Sequence, residues 1–420
     1  MAGITDETVP GRRRVVVTGL GPVTPIGIGV DAFWEGLTTG RNGVRAIQRF
    51  PTEDLPVTVA GEVPDFDPTA WLDTKEIRRT DRFSHYAIAA GKVAWEDAGA
   101  PEVPSERAGI VFGTGIGGLE TILIQHRVLL EKGPGRVSPF MVPALMANAA
   151  AGHLAMKFGF TGPNYCTVSA CASSNHAIGE AMRLIRDGYL DLAIAGGSEA
   201  ATLPLTVAAF SQMTALTRNP DPETASRPFD ADRNGFVLSE GAAALILESE
   251  EHARARGARI YCEVAGYGMS DDAHHITAPD PKGSGATLAM RWALADAREE
   301  PEAVSYVNAH GTSTQLNDAS ETVAIKAALG EDVAHRVAVS STKSMTGHML
   351  GAAGAVEGAV CALAIANGTI PPTIHYETPD PDCDLDYIPN EARELDVTLA
   401  LSNSFGFGGQ NACVAFRPAS

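Results

Sequence analysis

Short β-branched segments that end at glycines alternate with alanine-rich segments along the chain, and this pattern limits the possible folds more than any other feature. Residues 15–18 precede Gly19, and residues 110–112 precede Gly113. Between such segments, residues 173–186 carry apolar side chains at three- and four-residue steps, which is typical of a helix with one buried face. The alternation predicts α/β layers with substantially parallel strands.

Several of these patterns occur twice in the same order. Residues 263–268 resemble residues 16–21, and residues 293–297 resemble residues 94–98. Each alanine-rich segment is followed by a strand pattern that ends in Gly-Thr. The repeats predict two similar halves. Chance similarity in a chain with 43 glycines is the alternative.

The boundary between the halves is predicted near residue 260. It divides the chain of 420 residues into an N-terminal half at 12–260 and a C-terminal half at 261–420. A chain of this length fits one large domain or two fused ones. No low-complexity linker marks the boundary, so we expect the halves to share one interface.

The charge balance excludes several classes of partner. The formal net charge is −19, which repels phosphate backbones and anionic lipid. No stretch reaches about 18 unbroken apolar residues, so no membrane span is expected. The first residues show no secretion signal. These features predict a cytoplasmic protein that binds neither nucleic acid nor membranes.

Two motifs resemble ligand-binding loops but lack parts of the pattern. The glycines at 113–118 match the dinucleotide fingerprint, yet residues 133–139, where a second strand and an acid are needed, form a loop pattern. Residues 230–235 open like a calcium loop, but the twelfth position is Gly241. The six cysteines include no C-x-x-C pair, so zinc is poorly supported and no metal is expected.

Cys171 stands out among the cysteines because it lies between a strand pattern and the helix at 173–186. The N-terminus of a helix carries a partial positive charge of about half an elementary charge, which favours a thiolate and lowers the pKa of a thiol. The small residues around Cys171 leave room for an acyl group. A buried cysteine that only fills space is the alternative.

Two histidines, His310 and His348, follow apolar strand patterns and are flanked by glycine and hydroxyl residues. Loops at the carboxyl ends of parallel strands commonly form active sites, so both imidazoles can converge with Cys171 on one pocket. The segment 403–411 carries three glycines between two strand patterns, and its backbone N–H groups can form an oxyanion hole. A structural role for each histidine and a plain hairpin for this segment are the alternatives.

Six motifs in order resemble those of an elongating type II β-ketoacyl-acyl-carrier-protein synthase, over roughly residues 13–416. They are Ser-Ala-Cys-Ala-Ser at 169–173, Arg-Pro-Phe-Asp at 227–230, Asn-Ala-His-Gly-Thr-Ser-Thr at 308–314, Lys-Ser-Met-Thr-Gly-His at 343–348, Gly-Ala-Ala-Gly at 351–354 and Asn-Ser-Phe-Gly-Phe-Gly-Gly at 403–409. The resemblance implies a thiolase-like α/β fold, with two duplicated βαβ-rich halves in a five-layered α-β-α-β-α sandwich. It also implies a homodimer.

The resemblance implies that the Cys nucleophile accepts an acyl chain from acyl carrier protein, and that malonyl carrier protein then loses CO2 and condenses with it. No cofactor is implied beyond the phosphopantetheine of the carrier protein. The implied roles are nucleophile for Cys171, enolate stabilisation for His310 and His348, orientation for Lys343 paired with Glu357, oxyanion hole and gate for Phe407 and Phe405, and pantetheine binding for Thr312 and Thr314.

Docking of an acidic carrier protein on this acidic chain requires local positive charge. The basic run that contains Lys75, Arg78 and Arg79, followed by Arg82, is predicted as the docking patch. A solvated helix face is the alternative.

Two departures from the family pattern leave the pathway open. Gln410 stands where Thr is usual, and Ala147 lies where Pro is common. A ketosynthase of a type II polyketide pathway remains the closest rival. A non-catalytic chain-length factor is disfavoured by Cys171, an initiating type III enzyme by His348, and a thiolase by the absence of a second Cys at 407–409.

Overall fold

The computed structural model describes residues 12–419, so the expectation about a secretion signal in the first residues lies mostly outside the described residues. The strands are β1 (Val15–Thr24), β2 (Gly27–Ile28), β3 (Arg45–Ala46), β4 (Val59–Ala60), β5 (Ala108–Gly113), β6 (Asn164–Tyr165), β7 (Leu192–Glu199), β8 (Gly241–Ser249), β9 (Cys262–Asp271), β10 (Tyr306–Asn308), β11 (Ala338–Ser340), β12 (Thr369–Ile370), β13 (Arg393–Glu394), β14 (Ala400–Gly406) and β15 (Gln410–Arg417).

The helices are α1 (Val30–Thr38), α2 (Thr74–Ile77), α3 (Arg82–Asp97), α4 (Leu119–Lys132), α5 (Met141–Leu145), α6 (Ala149–Phe158), α7 (Ser173–Arg186), α8 (Pro204–Gln212), α9 (Glu250–Ala255), α10 (Ser284–Ala297), α11 (Gln315–Leu329), α12 (Glu331–Ala334), α13 (Lys343–Thr346) and α14 (Ala353–Asn367). The predicted helix at 173–186 is α7, with the same bounds.

The strand order of the main sheet is symmetric about its centre. It runs β11-β10-β14-β15-β9-β1-β8-β7-β5-β6, so β9 and β1 meet in the middle and each half contributes five strands in the same spatial pattern. The outer strands of each half pair in parallel, whereas β1, β8, β9 and β15 pair antiparallel. The expectation of substantially parallel strands therefore holds only for the outer strands. A short hairpin such as β14–β15 needs no crossover helix and gives antiparallel strands.

The repeated sequence segments occupy equivalent places in the two halves. A Cβ atom on Gly21 of β1 would lie 2.0 Å from the carbonyl oxygen of Ala90 in α3. A Cβ atom on Gly268 of β9 would lie 2.0 Å from the carbonyl oxygen of Ala289 in α10. In each half, glycine lets a helix backbone rest directly on the central strand. This equivalence confirms the duplication.

The strands of the two halves form two layers, with one helix layer between them and one on each outer side, which makes five layers. Helix α3 packs on β1, β8 and β7, and α10 packs on β9 and β15. Helices α7 and α14 lie against each other and contact strands of both halves. The arrangement confirms the predicted α-β-α-β-α sandwich. The boundary near residue 260 stays a prediction and falls between α9 and β9.

One stretch, Leu350–Asn367, is long and apolar enough to cross a membrane by length and composition alone. Of this stretch, 83% is buried inside the protein, because it contains the whole of the central-layer helix α14. Burial of this kind is what the core helix of a large α/β protein requires.

Candidate active site

Cys171 sits in a tight 3-10 turn, Ala170–Ala172, directly before the first residue of α7. Ala170 has a φ of 49°, in the left-handed region, so the turn is sharp. Ser173 fastens it, since its hydroxyl accepts from the N–H of Ser169 at 2.9 Å and donates to the carbonyl of Ala170 at 2.7 Å. The thiol therefore lies at the N-terminal end of α7, as the sequence predicts, and only 7% of the residue is exposed.

His348 approaches this thiol from the other half of the protein. It follows β11 and the short helix α13, and its N–H donates to the carbonyl of Val237 at 2.8 Å while its carbonyl accepts from Ser239 at 3.0 Å. These two bonds fix the backbone of the loop. The Nε2 atom of His348 lies 3.0 Å from Sγ of Cys171, within hydrogen-bond distance for sulfur.

His310 follows β10 and completes the cluster. Its ring centroid lies 5.3 Å from that of His348, and the two ring planes are nearly perpendicular at 84°. One ligand-type atom from each of Cys171, His310 and His348 lies within 4.8 Å of the other two. The structure thus brings together the three groups that the sequence placed at separate strand and helix ends.

Buried carboxylates of α11, which the sequence analysis missed, hold the His310 loop. Glu321 accepts from the N–H groups of His310 at 2.8 Å and Gly311 at 2.7 Å, and Asp318 accepts from the N–H of Thr312 at 3.0 Å. Both acids are fully buried. The two acids are three residues apart and therefore share one helix face, just after the His-Gly-Thr segment. This spacing is the sequence signal by which they could be found.

Glu199, also missed, fills the glycine loop that resembled a dinucleotide site. Its carboxylate accepts from the N–H of Gly115 at 2.7 Å, the N–H of Gly351 at 3.1 Å and the N–H of Ile116 at 3.2 Å. The hydroxyl of Thr114 donates to it at 3.0 Å. The amides that would face a phosphate are therefore bonded to a protein carboxylate, which ties the loop to the segment after His348.

Lys343 and Glu357 form a buried ion pair beneath the histidines. The Nζ atom of Lys343 contacts Oε1 of Glu357 and donates to the carbonyl of His310 at 2.5 Å. Both side chains are at most 3% exposed. The ammonium thus ties the backbone of His310 to α14 rather than touching the sulfur directly.

The glycine-rich segment between β14 and β15 is a hairpin turn, and it reaches the turn that carries Cys171. A Cβ atom on Gly406 would lie 2.7 Å from the carbonyl oxygen of Ser169, so only glycine allows this approach. Phe407 lines the same cavity as Cys171. The ring of Phe405 packs 5.7 Å from that of His310. The segment is therefore a hairpin turn, and its role in binding a ligand stays a prediction.

These side chains line one cavity of about 620 Å³. Cys171, His310 and His348 lie in it with Phe405, Phe407, Thr312 and Thr314. The hydroxyls of Thr312 and Thr314 bond each other at 3.0 Å on the wall. Phe407 is 36% exposed and packs 6.5 Å from the ring of Phe210, so its ring lies where the cavity meets the surface.

Burial sets the protonation of the reactive groups. It raises the pKa of the Cys171 thiol to about 12, and the Lys343 cation and the Phe407 N–H only partly oppose this change. The lowered thiol pKa predicted from the helix end is therefore wrong, because loss of hydration costs a thiolate more than a helix terminus returns. Burial, with the nearby Lys343 cation, lowers the pKa of His310 and His348 well below 6.5. Burial therefore favours the neutral form of the thiol and of both imidazoles.

The predicted docking residues lie away from this cluster, on the surface around α2. Lys75, Arg78 and Arg79 are exposed, and none forms an ion pair with a described residue. Arg79 lies over the ring of Phe140 at 4.3 Å. Arg82 differs, because it is half-buried and pairs with Glu240.

The two departures from the family pattern lie beside glycines of active-site loops. The side chain of Gln410 lies next to Gly408, and Ala147 lies next to Gly117. Neither residue lines the cavity.

Comparisons with known proteins agree with this geometry. The family described as "Beta-ketoacyl synthase, N-terminal domain" matches residues 12–253, and "Beta-ketoacyl synthase, C-terminal domain" matches residues 261–377. A Synechocystis sp. protein named 3-oxoacyl-[acyl-carrier-protein] synthase 2 is 54% identical over 97% of this chain and 98% of its own length. A Staphylococcus aureus protein of the same name is 50% identical over 96% of this chain and 98% of its own length.

Solved structures show the same fold. The ishigamide ketosynthase/chain length factor has a TM-score of 0.91 at 40% identity, and a beta-ketoacyl synthase from Burkholderia phymatum has 0.90 at 38%. A type II polyketide ketosynthase in complex with its acyl carrier protein has 0.89 at 36%. Each alignment covers 97% of this chain and all of the other chain.

Proposed function

Because the chain belongs to the beta-ketoacyl synthase family, we propose that it is a 3-oxoacyl-[acyl-carrier-protein] synthase that elongates fatty acyl chains. It condenses malonyl-acyl carrier protein with an acyl chain held on Cys171, giving a 3-oxoacyl carrier protein. The observation that carries the proposal is the 3.0 Å contact between Sγ of Cys171 and Nε2 of His348, with the ring of His310 beside it.

The first half-reaction moves the acyl chain onto sulfur. Sγ of Cys171 attacks the thioester carbonyl, the pantetheine sulfur leaves, and the proton lost by the thiol is taken up by that departing sulfur. The N–H groups of Cys171 and Phe407 stabilise the oxyanion, each by about 3 kcal/mol. The thioester is exchanged without net change of charge, because the proton that one sulfur loses is taken up by the other.

The second half-reaction forms the new carbon–carbon bond. The bond between the malonyl α-carbon and its carboxylate breaks, CO2 leaves, and the electron pair moves to the thioester oxygen as an enolate. The imidazoles of His310 and His348 donate N–H bonds to that oxygen. The α-carbon attacks the Cys171 thioester, and the released sulfur takes up one proton. Thr312 and Thr314 bind the pantetheine arm, and the reaction needs no other cofactor.

Acylation of Cys171 tests this function. Purified protein is incubated with acyl-acyl carrier protein, and the mass of the intact chain is measured. We expect one acyl group on the native protein and none on a Cys171→Gln variant, which keeps malonyl decarboxylation. Acylation of the variant, or a native chain that stays unmodified while folded, contradicts the proposal.

The second candidate function is a ketosynthase of a type II polyketide pathway. The similarity to the polyketide ketosynthase structure supports it, but the higher identity to the 3-oxoacyl synthases favours fatty acid elongation. A non-catalytic chain-length factor is less consistent with a nucleophile in contact with a histidine. Reduced, saturated products in a reconstituted assay distinguish elongation from repeated condensation to a polyketide.

Acyl carrier protein is proposed to dock at Lys75, Arg78 and Arg79. These cations are exposed and lack ion-pair partners among the described residues, so they are available to an acidic surface. Unpaired cations of this kind steer an acidic partner on a protein that is otherwise negative. The basic run is thus the local exception to the net charge of −19.

A homodimer is the proposed assembly, and the cytoplasm is the proposed location. The main sheet ends at β6, a short exposed strand whose backbone is open to pairing on its outer side. Helix α4 buries none of its residues, although Ile124 and Leu130 on it are apolar and exposed. A second copy that covers this edge and this helix would bury both.

A further inference from the structure

The catalytic cluster has the composition of a metal-binding site as well as of a condensing centre. One sulfur and two imidazole nitrogens lie within 4.8 Å of one another, and each is supplied by a different loop. Cys171 lies in the turn at 170–172, His310 in the segment after β10, and His348 in the segment after α13. Each loop is fixed by its own backbone hydrogen bonds, so the three donors converge without a ligand to gather them.

Sulfur and imidazole nitrogen are the donors that Zn²⁺ prefers in proteins. An open zinc site has three protein donors and leaves the fourth position to solvent or substrate. Here all three side chains line the cavity of about 620 Å³, which has room for a water molecule as the fourth ligand. Carboxylates of Glu199 and Glu321 are bonded to backbone amides, which leaves the cysteine and histidines as the available donors.

The surroundings indicate a reversible site rather than a resident structural metal. Histidines that hold a permanent zinc ion normally donate their second ring nitrogen to a carboxylate or carbonyl, and loss of that partner costs about 10–100-fold in affinity. The Nδ1 atoms of both His310 and His348 are buried without a hydrogen-bond partner among the described residues. The ammonium of Lys343, which is tied to the backbone of His310, adds a nearby positive charge.

We infer that Cys171, His310 and His348 bind Zn²⁺ reversibly, and that the bound ion blocks acylation. Binding forms one Zn–S and two Zn–N bonds and releases the thiol proton to solvent, with no change of oxidation state. The metal occupies the sulfur lone pair that would attack the thioester. Inhibition rests on the proposed function, whereas metal binding does not.

Cobalt(II) is the spectroscopic probe for this site, because it replaces zinc and reports thiolate and tetrahedral coordination by its absorption. The full chain is titrated with Co²⁺ and then with Zn²⁺, without substrate. We expect one Co²⁺ per chain with a sulfur-to-metal charge-transfer band, and loss of that band when Zn²⁺ displaces it. Cys171→Ser removes the band, and His310→Ala weakens binding at least tenfold. Cys166→Ser, the matched control on the same segment, leaves both unchanged.

The test also separates this inference from the proposed function. Zn²⁺ at saturation is expected to protect Cys171 from alkylation, read as intact mass, and to stop acyl transfer until a chelator is added. A folded native chain without the charge-transfer band overturns the inference, as does a Cys171→Ser variant that retains it. In either case acylation by carrier-bound substrate still decides the proposed function.

Discussion

Lys343 is among the largest fully buried side chains of the protein, and its charge is balanced by one neighbour. Glu357 on α14 contacts the ammonium, and the carbonyl of His310 accepts from it at 2.5 Å. An ion pair removed from water stabilises little by itself, but removal of one partner leaves a costly unpaired charge. At the scale of single residues, the position of His310 therefore depends on a charge pair that does not line the cavity.

Replacement of Glu357 is predicted to destabilise the fold more than removal of the whole pair. Glu357→Leu should lower the free energy of unfolding by about 3–5 kcal/mol, because Lys343 remains buried without an anion. The double variant Lys343→Met with Glu357→Leu should lose less than Glu357→Leu alone, and therefore less than the sum of the Glu357→Leu and Lys343→Met losses. Urea denaturation measures all three. Strictly additive losses would show that the two side chains do not interact.

At the scale of elements, contact between glycines of a strand and alanines of a helix recurs in both halves. Gly21 meets α3, and Gly268 meets α10, with the same distance to a helix carbonyl. Neither contact has room for a methyl group. These contacts set how closely the outer helices approach the sheet and thus where the strand ends present the active-site loops.

Gly21→Ala and Gly268→Ala are each predicted to destabilise the protein by about 1–3 kcal/mol through overpacking. Gly152→Ala is the matched control. A Cβ atom on Gly152, inside α6, meets nothing within 4 Å, so this change should stabilise the protein by up to about 1 kcal/mol through helix propensity. Thermal denaturation compares the variants. Equal effects at all three positions would exclude the close contacts as the cause.

Charge reversal around α2 is predicted to affect only carrier-bound substrate. Arg78→Glu with Arg79→Glu should raise the apparent KM for acyl-acyl carrier protein several-fold and leave turnover of a free acyl thioester unchanged. Arg298→Glu with Arg336→Glu, also at exposed positions, makes the same change in net charge in the other half. The docking interpretation fails if the Arg78/Arg79 and Arg298/Arg336 double variants raise the KM for acyl-acyl carrier protein equally. It also fails if the KM for the free thioester rises as much as the KM for the carrier-bound substrate.

At the scale of the whole molecule, the two halves share their central layer. Helix α7 of the N-terminal half and α14 of the C-terminal half pack against each other, and β1 pairs with β9 across the middle of the sheet. Cys171 comes from one half and both histidines from the other. The three side chains therefore come together only when the two halves are packed against each other.

Because of this shared layer, the full chain is predicted to unfold in one cooperative transition. Differential scanning calorimetry should show a single peak, and catalytic acylation of Cys171 should be lost over the same temperatures. A Cys171→Ser variant serves as a control that the peak does not depend on the thiol. Two separated peaks would show that the halves at 12–260 and 261–420 are independent domains.

The sequence by itself determined the layered α/β class and the duplication, and it singled out the three candidate reactive groups. These features depend on local pattern, because each one is contained in a short segment. They are the alternating strand and helix periods, the small residues at fixed spacing, and the motifs around Cys171, His310 and His348. The strand order and the roles of Glu199, Asp318 and Glu321 were decided only by the tertiary structure. Carboxylates that hold distant backbone amides leave little trace in local sequence.

The protonation of Cys171 shows the same division most clearly. From the sequence, the end of α7 predicts a lowered thiol pKa, because a helix terminus is a local feature. The tertiary structure raises that pKa to about 12, because burial depends on every segment that closes over the sulfur. Cys171 loses its hydration through contacts with residues far away in the sequence, such as His348, which is 177 residues further along the chain. No local pattern records that loss.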